Sequence, residues 1–265
     1  MNLVYYSQED PRWKNTMYSA IKDPKQTIGL AGCGPTSFAM VFSSLTGRIL
    51  MPPEAAKFAV DHGHRTADSG TAWSLFPDIA DAYGLVCRQS WRLPDVKKAL
   101  AAGALAIASM KGGGHFTRTG HFIVLTGAHD GLIDVMDPNH DNDNYKSDGL
   151  IIEGKKNDGF VSAKESVFVS EARSYWIIDL KEEDKPMTKE EKQAFDVLRD
   201  DLAALKKVLE AATKQLDEAT KLVPAPKWFV DEFGSADLEG KISTPKLTVE
   251  GWRVLAIGLR AKRMI

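Results

Sequence analysis

The spacing of hydrophobic positions changes twice along the 265-residue chain, near Lys181 and again after Pro224-Ala-Pro226. Up to residue 180 the apolar residues fall in short runs of helical or strand period, each bounded by Gly, Pro or charged residues. The run Phe38 to Leu45, with Pro35 before it and Gly47 after it, predicts a helix of about a dozen residues that starts at Cys33. Pro52 to Val60, Ser74 to Tyr83 and Leu93 to Ala102 read as further helices, the last stopped by Gly103. Ala104 to Met110 is continuously apolar, as in a buried strand. Gly120 to Gly127 and Leu132 to Met136 read as two strands, and Asp130-Gly131 between them is a hairpin turn signal. Tyr83 to Arg88 alternates like a strand, which makes Cys87 a core-packing residue. Phe160 to Ser162, Ser166 to Ser170 and Tyr175 to Leu180 are expected as closing strands. Residues 9–30 show little periodicity and predict a long polar loop, with Trp13 and Tyr18 either pinning it to the core or lining a groove. The expected class is α+β, with one helix packed against a twisted antiparallel sheet.

Beyond Lys181 the pattern is different. Lys181 to Pro186 is a charged linker, and Thr188-Lys-Glu-Glu191 is a capping box that opens a helix. Phe195, Leu198, Leu202, Leu205, Leu209, Ala212, Leu216, Ala219 and Val223 then recur at steps of three and four. So narrow a seam favours helix pairing, hence a homo-oligomer through the 188–223 helix, over one amphipathic helix docked on the preceding domain. Residues 225–265 predict two short helices, Lys227 to Phe233 stopped by Gly234, and Thr248 to Leu259. That piece is too small to hold a core alone and is expected to pair with the long helix or with its copy in another subunit. The chain thus divides into 1–180, 181–224 and 225–265.

Composition narrows the function classes. With 34 Lys and Arg against 36 Asp and Glu, the net charge is −2, which gives no electrostatic footprint for nucleic acid or an anionic membrane. No apolar run approaches the length of a membrane span, and Met1 to Tyr6 lacks the pattern of a signal peptide. Two cysteines, Cys33 and Cys87, do not make a disulfide framework and suit synthesis in a reducing cytoplasm.

The candidate chemistry centres on Gly32-Cys-Gly-Pro-Thr-Ser37. At a helix N-terminus, unpaired backbone N–H groups and the positive end of the dipole face the sulfur and favour the thiolate. The flanking glycines let another backbone approach. A buried structural cysteine is the alternative. His121 begins one predicted strand and Asp137 ends the next, so an antiparallel hairpin sets the two ends side by side. Nucleophile, base and orienting acid make a triad.

Four segments carry a likeness beyond this. Tyr5-Tyr-Ser-Gln-Glu-Asp-Pro-Arg-Trp13, Ala31-Gly-Cys-Gly-Pro-Thr-Ser37, Gly120-His-Phe-Ile-Val124 and Val135-Met-Asp-Pro138 resemble the signatures of the papain-like cysteine peptidase family typified by bacteriocin-processing, double-glycine-leader peptidases. Their order and spacing are closer to the stand-alone, wall-directed branch, as found in phage endolysins. The resemblance implies Cys33 as nucleophile, His121 as general base and Asp137 as its orienting residue, with no cofactor. It also implies a Gln upstream of the nucleophile in an oxyanion hole. Gln8 follows an apolar strand-like start as the family pattern has it, and Gln26 is the other candidate. The same likeness makes Ser69 to Ser74 a groove-lining segment, with Trp73, Gly32 and Gly120 as substrate-binding positions.

Other constellations compete. His115, in the Gly-rich stretch 111–119, repeats the His-Phe pair, but that stretch reads as a mobile flap that would orient a base poorly. His62-Gly-His64 lacks further metal ligands. Asp137 to Asp148 is rich in acids but lacks the glycine and bidentate Glu of a calcium loop, so no metal site is assigned and the loop is expected to be solvated. Arg253, Arg260, Lys262 and Arg263 make a basic tail that suits an anionic wall polymer, and Trp228-Phe-Val-Asp-Glu-Phe-Gly234 resembles C-terminal segments of some phage lysins. The expected function is a phage-type endolysin that cleaves peptidoglycan peptide bonds, made in the host cytoplasm and acting at the wall after release. A leader-processing cysteine peptidase and a non-catalytic wall-binding protein are the alternatives.

Overall fold

The structure is a computed structural model that describes every residue except 68, 69, 186 and 265; Ser69 of the expected groove segment and Pro186 of the linker lie outside the described residues. It forms two units, Met1–Lys185 and Pro186–Ile265.

The first unit is built on seven antiparallel strands: β1 (Leu85–Ser90), β2 (Leu105–Lys111), β3 (Gly120–His129), β4 (Leu132–Met136), β5 (Ile151–Glu153), β6 (Phe160–Lys164) and β7 (Ala172–Leu180). Their order across the sheet is β1-β7-β2-β3-β4-β6-β5. Strand alternation splits the apolar residues between two cores. Leu105 and Ile107 of β2, Phe122 and Val124 of β3, and Trp176 and Ile178 of β7 join the helices α1 (Ile28–Ala31), α2 (Cys33–Thr46), α3 (Pro52–Asp61) and α4 (Leu75–Ala82) in one. Ala106, Ala108, Ile123, Leu125 and Ile177 face the other, with α5 (Leu93–Ala101) and α6 (Glu165–Glu171). Both sheet faces are therefore covered, which is why β2 reads as one unbroken apolar run.

Helix α2 is buried at every position from Gly34 to Leu45. A helix apolar all round has to lie inside a core, and Gly47 ends this one with φ +69. The tight turn between β3 and β4 has left-handed Asp130 and Gly131 (φ +48 and +73), as the Asp-Gly signal requires. The expected loop 9–30 ends earlier, since Ile28 to Leu30 belong to α1, and its remainder is pinned by Trp13 and Tyr18, both buried. Residues 166–170 differ from expectation: they form α6, not a strand. Val167 and Phe168 sit buried on one side of a two-turn helix, and in five residues an adjacent apolar pair fits either period.

In the second unit, α7 (Lys189–Thr220) is one continuous helix opened by its capping box. Glu191 N–H donates to Thr188 Oγ1 (3.1 Å) and Thr188 N–H to Glu191 Oε2 (2.8 Å). None of its residues is buried. The C-terminal piece has a small core of its own, without a residue of α7 in it. Phe229 of α8 (Lys227–Phe233) and Trp252 and Ala256 of α9 (Val249–Arg263) form a small cluster of their own, and Trp252 Nε1 donates to Val223 O (3.0 Å). The lysin-like Trp-Phe pattern thus places Phe229 in that core. Arg260 of the basic tail is held by Glu232 (2.7 and 2.5 Å), and Arg263 lies over Phe233.

Candidate active site

Cys33 is the first residue of α2, half-buried, on the wall of a cleft of about 670 Å³. Ser37 Oγ donates to Phe122 O (3.3 Å), tying the helix start to β3. Burial pushes the Cys33 thiol up, but its hydrogen bond to His121, the charge on that ring, and the N–H groups of Phe122 and Gly34 outweigh burial and bring it below the usual thiol value. The flanking glycines have a different use from the one expected. A Cβ on Gly32 would meet Ile28 O at 2.6 Å, and one on Gly34 would meet the Thr71 side chain at 2.8 Å. They admit the chain's own neighbouring segments, and Gly32, buried, does not line the cleft.

His121 Nε2 lies 2.6 Å from Asp137 Oδ1, leaving Nδ1 to face the sulfur. A regular hairpin would not achieve this. From the turn, His129 pairs with Leu132 and Gly127 with Asp134; the register then shifts at Thr126, so that Leu125 pairs with Val135 and Val124 with Met136. Without that one-residue bulge Asp137 would fall opposite Val124, on the face away from His121. With it Asp137 falls opposite Ile123, diagonal to His121 on the same face. Burial works to lower the His121 pKa, but the charge and hydrogen bond of Asp137, with the bond to Cys33, raise it to about 10. Sulfur and ring are therefore each shifted toward the charged form.

Asp137 is fully buried, so its charge needs donors. Oδ1 accepts from His121 and from Asn139 N–H (2.9 Å). Oδ2 accepts from Asn142 Nδ2 and Tyr145 Oη, both at 2.8 Å. Asn142 and Tyr145 are functional residues that the sequence reading missed. The loop 137–148, expected to be solvated, folds back on the carboxylate at its own start. The signal available was one aromatic, Tyr145, in an otherwise polar loop.

Gln8 lines the same cleft as Cys33. Its backbone N–H donates to Pro138 O (2.8 Å), which sets it against the Asp137 loop, and Nε2 donates to Gly29 O (2.7 Å). One Nε2 hydrogen remains for a ligand. Gln26 is elsewhere, donating to Ala67 O and accepting from Arg65 (both 3.0 Å). Trp73 and Gly120 line the cleft, and a Cβ on Gly120 would meet nothing nearer than 4.0 Å.

The stretch 111–119 is not the free flap expected. His115 is buried, with Nδ1 2.6 Å from Glu171 Oε1 and Nε2 2.8 Å from Asp148 Oδ2. Two carboxylates on one ring hold the loop to α6 and to the end of the 137–148 loop. His115 does not line the cleft and so does not compete with His121. His62 and His64 bond separately, to Phe58 O and Ser74 Oγ (both 2.9 Å). Glu9, His140 and Asp141 bring ligand atoms within 4.8 Å of one another. All three are partly or fully exposed, and Ser7 Oγ already lies 3.1 Å from His140 Nδ1, so they carry no metal assignment.

The model of the Peptidase_C39 like family matches residues 1–156. The chain belongs to that family. Among solved structures, this C39-like chain is similar to the peptidase domain of Streptococcus ComA, titled a bifunctional ABC transporter of a quorum-sensing pathway (15% identity, 57% of this chain and 93% of that one, TM-score 0.41). It is also similar to a double-glycine-motif protease from an AMS/PCAT transporter, in complex with the leader peptide (18%, 57% and 86%, 0.38). A third is a C39-like peptidase, so titled, from Bacillus anthracis (14%, 68% and 96%, 0.38). No curated protein matches. No helix among the described residues is long and apolar enough to cross a membrane.

Proposed function

We propose that the chain is a cysteine peptidase that hydrolyses peptide bonds in bacterial peptidoglycan. The observation that carries the peptidase reading is the thiol of Cys33 paired with an imidazole that Asp137 holds from behind. The Cys33 thiolate attacks the peptide carbonyl. The oxyanion is held by the Cys33 N–H and by the remaining Nε2 hydrogen of Gln8. The His121 imidazolium gives its proton to the leaving amine, then takes one from the water that hydrolyses the thioester. Asp137 keeps the ring in place and supports its charge. The cleft has about the volume of an ordinary ligand site, so it takes a short stretch of peptide, whether part of a wall or of a protein.

The substrate is the finer part of the proposal. The likeness of the four motifs to the stand-alone, wall-directed branch supports peptidoglycan. The fold shared with leader peptidases supports the second reading, a peptidase that cuts double-glycine leaders. Purified protein and Cys33→Ala are to be incubated with cell walls and with double-glycine peptides, and the products identified by mass spectrometry. Release of wall peptides by the wild type alone upholds the first reading, and cleavage confined to leaders upholds the second. Equal release by Cys33→Ala overturns the mechanism.

A further inference from the structure

The residues that line the cleft have an unusual charge balance. The chain has more acidic than basic residues, yet no Asp or Glu is among the described residues of the lining, whose cationic groups are His121 and Arg173. Asp137, the nearest carboxylate to the chemistry, is hidden behind His121. Among the described residues, a peptide entering the cleft therefore meets no carboxylate, and Arg173 is the cation in the wall away from the Cys33–His121 pair.

Arg173 is in that wall because of a local irregularity. Where β2 pairs with β7, Ser109 stands opposite Ser174, but Met110 stands opposite Ala172. Arg173 is the extra residue of a β-bulge, and a bulge turns its side chain out of the regular alternation. The guanidinium carbon lies 5.9 Å from the ring centroid of Trp73, within cation–π range. Trp73 is itself held, edge-on, against the buried Trp176 (5.4 Å, 72°). No carboxylate lies within ion-pair distance of Arg173 among the described residues. A planar, always-charged fork held on an aromatic face in a cleft is suited to a carboxylate.

We propose that Arg173, stacked on Trp73, selects substrates that carry a carboxylate close to the scissile bond. The proposal rests on the peptidase reading above and narrows its substrate class to anionic peptides. The carboxylate has two sources: the side chain of an α-linked Asp or Glu, or the free α-carboxylate of a γ-linked Glu. The test is a mixed library of short α-linked peptides, with two synthetic peptides that differ only in whether a γ-linked Glu is free or amidated. Each is digested by the wild type, Arg173→Gln and Arg173→Glu and read by mass spectrometry. The wild type is expected to enrich Asp and Glu at one position, to prefer the free γ-linked peptide to its amide, or both. In Arg173→Gln the kcat/KM ratio of the acidic over the neutral peptide should fall about tenfold or more. Arg173→Glu should shift the preference toward Lys and Arg. Cleavage by the wild type with no preference for a carboxylate from either source, or the same ratio in all three proteins, overturns this assignment and leaves the peptidase reading standing. A wild type that cuts neither library nor synthetic peptides overturns both.

Discussion

The carboxylate of Asp137 sits in a site with no water-exposed surface, and half of its hydrogen bonding comes from two residues outside the triad. Asn142 and Tyr145 both end on Oδ2 at 2.8 Å. A hydrogen bond to a charged group contributes about 1.5–3 kcal/mol. Either Asn142→Ala or Tyr145→Phe leaves Oδ2 one donor, so each is expected to cost near the lower end, about 1.5 kcal/mol. The double variant leaves Oδ2 with no donor in a buried position while Oδ1 keeps His121 and Asn139 N–H. The second loss then carries the full cost of an unsatisfied charged acceptor, about 3 kcal/mol, instead of the roughly 1.5 kcal/mol of the first. The cost of the double should therefore exceed the sum of the singles, the mark of a shared acceptor. Urea unfolding at neutral pH gives the energies. The rate of Cys33 alkylation against pH gives the consequence: with the carboxylate less firmly held, His121 loses support for its charge, and the thiol's titration moves toward higher pH. A double variant within about 0.5 kcal/mol of wild type, the range of ordinary surface changes, or an unmoved alkylation profile, would refute the reasoning.

Three further outcomes follow from other parts of the structure. Since the Cys33 pKa is lowered and that of His121 raised to about 10, alkylation in the wild type should already be fast below pH 9. Peptide turnover should fall as pH rises past about 10, where the proton for the leaving amine is lost; an activity that begins only at the titration of an ordinary thiol contradicts the ion pair. At His115, burial opposes the charge, but the bonds to Asp148 and Glu171 more than reverse it and raise the pKa above 6.5. The stabilisation is complete below that unfolded value and disappears as pH rises through the folded one. His115→Gln should thus cost on the order of 3 kcal/mol near pH 6 and much less in alkali; an equal loss at both, measured by urea unfolding, removes the charge from the explanation. The seam of α7 leaves Leu198, Leu202, Leu205, Leu209 and Leu216 each 63–67% exposed. Pairing with a second copy, parallel and in register, brings Asp201 beside Lys206 of the other helix, an attractive flanking pair. The full chain should sediment as a dimer at micromolar concentration and Leu202→Glu with Leu209→Glu as a monomer; a monomeric wild type sinks this pairing.

Much of the site was legible because local rules and tertiary needs agree there. Gly32 to Ser37 reads as a helix start from Pro35 and the following apolar run alone, and Asp130-Gly131 dictates its turn. What stayed hidden depends on contacts distant in sequence. The bulge at Thr126 leaves no trace in a run that alternates well enough on either side of it. Gly32 and Gly34 look permissive in sequence, while the groups that need the room, Ile28 and Thr71, are known only from the fold. Polar residues such as Asn142 and His115 favour loops by composition, yet both are buried because a charged partner waits inside. The α6 segment failed for a different reason: five residues are too few for a period to show.

The helix that presents Cys33 is also the innermost element of its core, buried along nearly its whole length. Reactivity and melting are therefore coupled. A label that reads the ionised sulfur doubles as a thermometer for the domain, its rate falling to that of an ordinary thiol when the interior opens, and evolution has little freedom to loosen one without surrendering the other.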